Sequence, residues 1–436
     1  MKKIKKVSLL SMVGITLVVA GCGQGTNAGN GTGSTANSKN NGKSGEAETV
    51  LQFWYPGHEE TITGPVKELI AGFEQENPTI KIEYTPIPWK DYFQKLTVAY
   101  SAGSAPDVHG LGFGQLISTV DQDKYMDLNP FIEKSKWDGK EDYFPDILQA
   151  GQWQGGQYGL LMPDIRPLVW RKDFFKEAGL DPETPPQTLD ELFTFAEKLK
   201  KVETGKTVRA GIDIPSSNGE QAFLSMLMLQ GENYYQEDGT PTFDSDASIS
   251  LLEKMVNLNK NGALISYNGL RLEGSLFQNS EAAMGFTAPY ALVNLKKTVG
   301  AENIGYSFPP KGSAGKQTAL MLGTFLTMSK STKYGDAAWK FMEYWTKKEN
   351  LLQISVASGY IPARKSLKEE YVKLAPENQV LFGLMNDARG FTPSSSWAIN
   401  SKYLRNALEE AYFAAKTPEQ AMKDNAQKAK EELKLN

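Results

Sequence analysis

The sequence predicts an α/β protein of two lobes, each a mainly parallel sheet flanked by helices. Three observations carry that expectation. The chain has 436 residues, beyond the length at which a single core keeps growing. Its first ordered stretch reads strand, helix, strand, helix, strand, the order that builds a parallel sheet with helices on both faces. Its single cysteine, Cys22, leaves no internal disulfide, so stability has to come from core burial.

The elements follow in order. Thr49-Val50-Leu51-Gln52-Phe53-Trp54-Tyr55 is rich in β-formers and is closed by Pro56-Gly57, which marks a strand. Val66, Leu69, Ile70 and Phe73 then recur at helical spacing until Asn77-Pro78 stops the helix. Ile80-Lys81-Ile82-Glu83-Tyr84 alternates as a strand, residues 92–100 read as a helix, and Ala105-Pro106-Asp107-Val108 leads into a third strand. Further on, Thr188-Leu189-Asp190-Glu191 and Thr417-Pro418-Glu419-Gln420 have the spacing of capping boxes, the second with proline at the first helical position. The latter opens a terminal helix expected to reach Leu433. The run Met226-Leu227-Met228-Leu229 and the set Trp339, Phe341, Met342 and Trp345 are expected to be core.

The first 48 residues are organised differently. Lys2, Lys3, Lys5 and Lys6 precede an apolar run from Val7 to Ala20, and Gly21-Cys22 follows. A charged start, a short apolar stretch and a small-residue cut form a secretory signal. The run is about 14 residues long, short of the roughly 20 that span a bilayer. Residues 1–21 are therefore expected to be a signal peptide. Residues 22–48, poor in large apolar side chains, are expected to be a disordered tether with a mean reach of roughly 25–30 Å.

Charge and chemistry narrow the function. The formal net charge is −4, and loss of the four leading lysines makes the remainder more acidic. Clustered Lys and Arg for nucleic acid or anionic lipid are missing, so no nucleic-acid partner is expected. His58 and His109 are the only histidines. No HExxH, CxxC, Walker A or GxGxxG motif is present, so no cofactor, metal or enzymatic activity is expected.

Val18-Val19-Ala20-Gly21-Cys22 resembles the bacterial lipobox, which implies lipidation at Cys22. Several further segments occur in the order of the family 1 extracellular solute-binding proteins, the maltose-binding-protein-like receptors of ABC importers. They are Leu51-Gln52-Phe53-Trp54, Phe73-Glu74-Gln75-Glu76-Asn77-Pro78, Ser101–Val108, Tyr158–Pro163, Trp170–Leu180, Glu281–Met284 with Ala288-Pro289-Tyr290, and Gly359–Arg364. The chain resembles that family over the whole of its ordered part. It departs at Trp170-Arg171, where the family often has Tyr-Asn, and at Ala288-Pro289-Tyr290, where it often has Gly-Pro-Trp. The resemblance implies the periplasmic-binding-protein fold, with ligand held in a cleft between two closing lobes. It implies an N-lobe of 49–160 plus 288–333 and a C-lobe of 164–285 plus 336–436. The crossovers would then fall at 158–164 and 286–288.

A sugar pocket needs aromatic plates for the ring faces and polar groups for the hydroxyls, beyond the C-terminal ends of strands. By position after the first strand, Trp54, His58 and Glu59 are candidates. His109 shares a strand face with Asp107, and Asp107 matches the family's Pro-Asp step, as ligand contact or as loop brace. Asp164 and Arg166 share a face at the first crossover. The resemblance makes Asp164 a ligand-facing carboxylate, with an Asp–Arg hinge pair as the alternative. It also makes Tyr290 and Trp397 aromatic platforms and Glu220 and Gln221 loop contacts. Gly323 and Thr324 offer backbone N–H groups on a returning segment, or simply a tight turn.

The resulting expectation is a monomeric receptor outside the cell, anchored to the membrane only through its lipid in a Gram-positive-type envelope. It would bind a sugar or oligosaccharide and deliver it to a membrane ABC permease. The alternatives are a receptor for a peptide, polyamine or metal, and a surface glycosidase.

Overall fold

The computed structural model describes residues 48–57, 60–214, 219–265, 275–312, 315, 317–390 and 394–435, with the side chains of Glu220 and Tyr290 left out. The signal, Cys22, most of the tether, His58 and Glu59 lie outside the described residues.

The opening elements form as the pattern predicts. Strand β1 (Thr49–Pro56) is followed by a helix at Glu60–Glu76, β2 (Ile80–Ile87), a helix at Trp89–Ser101 and β3 (Val108–Gly112). β1 pairs in parallel with both β2 and β3. The stripe Val66, Leu69, Ile70 and Phe73 is buried because one helix face at that spacing lies on the sheet. A small hairpin, β4 (Gln152–Trp153) and β5 (Gly156–Gln157), precedes β6 (Leu160–Ile165). The first sheet is completed by β12 (Ala319–Met328) and β13 (Ala388–Arg389), in the order β13-β12-β3-β1-β2, with β6 also on β12.

The second sheet runs β11-β7-β10-β9-β8. Its strands are β7 (Leu168–Arg171), β8 (Lys201–Glu203), β9 (Lys206–Asp213), β10 (Ala282–Phe286) and β11 (Ile304–Ser307). Only β9 and β10 pair in parallel here; β7–β10, β7–β11 and β8–β9 are antiparallel. The first sheet is mainly parallel as expected, with β1–β2, β1–β3 and β12–β13 parallel, although β12 runs antiparallel to β3 and β6; the second sheet is mixed and mainly antiparallel. One cause is local. Thr204 and Gly205 both have positive φ, 50° and 77°, which gives the two-residue turn whose twist suits an antiparallel hairpin.

Lobe membership also differs from the expectation. The first core gathers residues 51–165 with most of 319–388; the second gathers 168–286 with 404–429, and also takes Leu320 and Leu322 of β12. β11 pairs with β7, so residues 288–307 stay with the second lobe rather than returning to the first. The helix Gly335–Trp345 belongs to the first lobe, where the Phe53 ring lies 5.0 Å from Phe341 and 5.6 Å from Trp345. The chain passes from one lobe to the other between β6 and β7, between β11 and β12, and again before the helix Trp397–Tyr412. These crossings replace the expected crossovers at 158–164 and 286–288. An amphipathic helix announces that it buries a stripe, but not which of two cores receives it.

The terminal helix, Pro418–Leu433, is capped as the sequence predicts. Gln420 N donates to Thr417 Oγ1 at 3.2 Å, and Thr417 N donates to Gln420 Oε1 at 3.3 Å. At the other expected box the first half forms, with Glu191 N donating to Thr188 Oγ1 at 3.1 Å. The Glu191 carboxylate instead accepts from Gln187 N at 2.7 Å, one residue before the cap. Thr417→Ala is expected to cost about 1 kcal/mol, read as faster hydrogen exchange across residues 418–433; unchanged protection there would show the cap to be idle.

Candidate functional site

β12 is flanked by β3 on one edge and β6 on the other, both antiparallel. Leu322 faces Asp164 on β6. On the other edge Thr324 faces Gly112, the last residue of β3, after which the chain enters a 3-10 turn at Phe113–Gln115. Asp164, Leu322 and the turn after β3 thus lie at the end of the sheet where the chain crosses to the second lobe.

Extended backbone from β6 into the crossing puts Asp164 and Arg166 on one face, and both are buried. Arg166 Nη1 donates to Asp164 Oδ2. Arg166 Nη2 donates to Gln221 Oε1 at 3.2 Å, which ties the crossing to the helix Gly219–Leu229 of the second lobe. Arg166 N donates to Leu320 O at 3.0 Å. The second carboxylate oxygen, Asp164 Oδ1, is buried with no hydrogen-bond partner. Burial pushes the Asp164 carboxyl above its ordinary range, outweighing the opposite pull of Arg166. A buried acceptor left unmade costs about 1–3 kcal/mol, so this oxygen is a place where an incoming hydroxyl gains.

A second such atom stands in the turn after β3. Gln115 follows β3 in a short 3-10 turn, and its Oε1 is also buried without a partner. The Trp397 ring lies over the same turn, so close that a Cβ on Gly114 would sit 2.1 Å from it. Sequence reasoning missed Gln115. Its signal was position, just after a strand in Gly112-Phe113-Gly114-Gln115, but a glutamine in a glycine-rich turn carries no distinctive chemistry by itself.

Asp164, Arg166, Gln221 and Trp397 are therefore placed where the lobes meet. Gly323 and Thr324 lie on β12 itself. Thr324 is sealed in the first core, with its methyl against Gly110, and Gly323 sits within the strand at φ 142° rather than in a tight turn.

Three other expectations are corrected by the strand geometry. The Asp107 carboxylate accepts from Gln52 N at 2.8 Å and from Thr332 Oγ1 at 2.5 Å, so it braces its loop. His109 is fully buried, with Nε2 at 2.8 Å from the Tyr100 hydroxyl and Nδ1 at 2.9 Å from Gly110 O. Burial lowers its pKa to about 4, and a neutral imidazole enclosed by its own core is not available to a solute. Trp54 is a register partner of His109 and points to the same side of β1, toward the helix Trp89–Ser101, instead of walling the cleft.

Between the two lobes lies an open cavity of about 940 Å³, lined by Phe113, Gln149, Met228, Glu232, Met321 and Arg389 among others. Gln221 and Met228 lie at opposite ends of the helix Gly219–Leu229, about 10 Å apart at 1.5 Å per residue. The cavity and the Asp164 cluster are thus separate features of one interface. Among the described residues, none of those expected to bind ligand lines this cavity.

Comparison with known proteins agrees with this architecture. A sequence model described as bacterial extracellular solute-binding protein matches residues 68–380. A binding protein of Brucella abortus is 24% identical over 379 residues, 85% of this chain and 90% of that one. A solute-binding protein of Thermotoga lettingae, solved with alpha-D-tagatose, superposes with a TM-score of 0.78 at 20% identity, covering 88% of this chain and 99% of the other. Maltose-bound MalE3 of T. maritima superposes with a TM-score of 0.77 at 23% identity, over 88% and 99%. The chain has the two-lobed solute-binding fold, and it belongs to the family of bacterial extracellular solute-binding proteins.

Proposed function

We propose that this protein is a receptor that binds a sugar or oligosaccharide between its lobes and hands it to an ABC permease. The observation that carries the reading is the pair of buried, partnerless acceptors, Asp164 Oδ1 on β6 and Gln115 Oε1 in the turn after β3, with the Trp397 ring over that same turn. Sugar hydroxyls donate to both kinds of oxygen, and an indole takes the C–H face of a pyranose. Arg166 is already held by Asp164 and Gln221, so its charge is balanced inside the protein and the reading favours a neutral sugar over a uronate. The sugars bound by the T. lettingae and T. maritima proteins support the same class. A ligand touching both lobes favours the closed arrangement by its differential affinity.

Lipidation at Cys22 is the remaining part of the proposal. It rests on the Val-Val-Ala-Gly-Cys segment alone, and it supplies a reason for the tether, which keeps a receptor outside the cell beside its permease.

The test is titration of the full chain with a panel of mono- and oligosaccharides, followed by tryptophan fluorescence and calorimetry. One sugar is expected to bind and to be recovered unmodified. Tyr290→Ala and Trp397→Ala should each weaken it at least several-fold. Failure of every sugar, with binding of a peptide, polyamine or metal ion instead, would overturn the reading. Labelling with radioactive palmitate, lost in Cys22→Ser, tests the anchor separately.

A further inference from the structure

Trp54 packs on the first core from the helix-covered side of β1 but stays only partly buried. Leu51, Phe53 and Tyr55 point into the first core, and Gln52 and Trp54 point the other way. There the helix Trp89–Ser101 covers the sheet only in part and leaves a recess of about 490 Å³ beside Trp54. That is within the range of small-ligand pockets, roughly 300–1,000 Å³.

Its walls combine an aromatic plate with mixed polar groups. The recess is lined by Trp54, Asp91, Gln94, Lys95, Val98 and Ser104. Asp91, Gln94, Lys95 and Val98 follow one another at helical spacing, so they form one stripe. Val98 is 60% exposed. The Asp91, Gln94 and Lys95 side chains and the Trp54 indole N–H have no hydrogen-bond partner within the protein among the described residues, and no other ring stacks on Trp54. The backbone that carries the plate is nonetheless fixed. The Tyr92 hydroxyl donates to Gly110 O at 2.6 Å and lies 3.2 Å from Trp54 O, which clamps the helix to both strands with or without an occupant.

The recess is not part of the inter-lobe site. The C-terminal ends of β1, β2 and β3 point toward the crossing, while the helix runs back from them, so Val98 and Ser104 lie at its far end.

We infer that this recess is a second carbohydrate site, which takes one pyranose unit with its C–H face on the Trp54 indole. Asp91 accepts hydroxyl protons, Lys95 donates to hydroxyl oxygens, and Gln94 does either; charged partners of both signs make the stronger of these bonds. A purely apolar occupant would cover Trp54 and Val98 but leave those polar groups unmatched. One carboxylate against one ammonium suits a neutral ring. The inference does not depend on which solute the lobes enclose. The unit is either a free sugar or a residue of a polysaccharide chain.

The experiment uses the full chain with nitrogen-15 in its tryptophan indoles. The Trp54 resonance is assigned from Trp54→Phe, which keeps a ring and guards against misfolding. Methyl glycosides of glucose, mannose, galactose and N-acetylglucosamine are then added in turn. A saturable shift of the Trp54 signal with at least one of them is expected. That binding should fall at least tenfold in Asp91→Ala/Lys95→Ala and persist in Trp397→Ala. Retention on insoluble amylose or mannan, lost in Trp54→Ala, would assign the unit to a polymer, and a shift without retention would assign it to free sugar. No shift with any of the four glycosides, or an equal shift with cyclohexanol, would overturn the inference.

Discussion

Arg166→Met is expected to destabilise the protein by about 3–5 kcal/mol at neutral pH, the cost of leaving one member of a buried ion pair uncompensated. Asp164 and Arg166 are both buried, and the guanidinium also reaches Gln221 across the crossing, so the loss includes a tie between the lobes. The deficit should depend on pH with a definite sign. Burial raises the Asp164 carboxyl above its ordinary 3.8, so the folded chain holds that proton more tightly than the unfolded chain. Its contribution is fully present below the unfolded value and is lost as pH rises through the folded value. Removing Arg166 removes the groups that pull it down and moves the folded value higher still. The variant should therefore lie near the wild type in acid and fall away toward neutrality, measured by urea midpoints across that range. Asp164→Leu combined with Arg166→Met should recover most of the loss, since an apolar pair of similar volume often replaces a buried ion pair without cost. A deficit that ignores pH, or a double variant no better than the single, would contradict this account.

Gly323→Ala is expected to cost about 3 kcal/mol or more, for two reasons that add. The residue has φ 142°, where a side chain is strained. A Cβ there would also sit 2.2 Å from Met162 O, a backbone oxygen of the paired strand that has no rotamer by which to retreat. Gly179→Ala is the control, because Gly179 has φ 70° but nothing within 4 Å of its Cβ position; it should cost about 1 kcal/mol. Thermal unfolding that places the two variants together would remove the steric argument. β12 carries both β3 and β6, so the distortion should also weaken sugar binding between the lobes.

The local elements were legible because each is written in a few neighbouring residues. The stripe of the first helix, the cap at Thr417 and the burial of Trp339, Phe341, Met342 and Trp345 all follow from spacing alone. Met226, Leu227 and Leu229 are core as expected, but Met228, on the other side of the same turn, reaches the cavity between the lobes. Within the site, Asp164 and Arg166 were legible through their two-residue spacing. Gln115 was not, because what singles it out is a missing partner.

By itself the sequence determined the fold class and put Asp164 and Arg166 on one face, and its resemblance pointed to the extracellular family, because periodicity, short spacings and the order of motifs are properties of the chain. Only the tertiary structure decided that residues 335–388 return to the first lobe, that the second sheet is mainly antiparallel, and that Trp54 faces away from the crossing while Gln115 and Trp397 come together. Those outcomes depend on which strand pairs with which and in what register. A shift of one residue turns every side chain of a strand to the opposite face, and no local pattern fixes that for segments 200 residues apart, on the order of a whole domain.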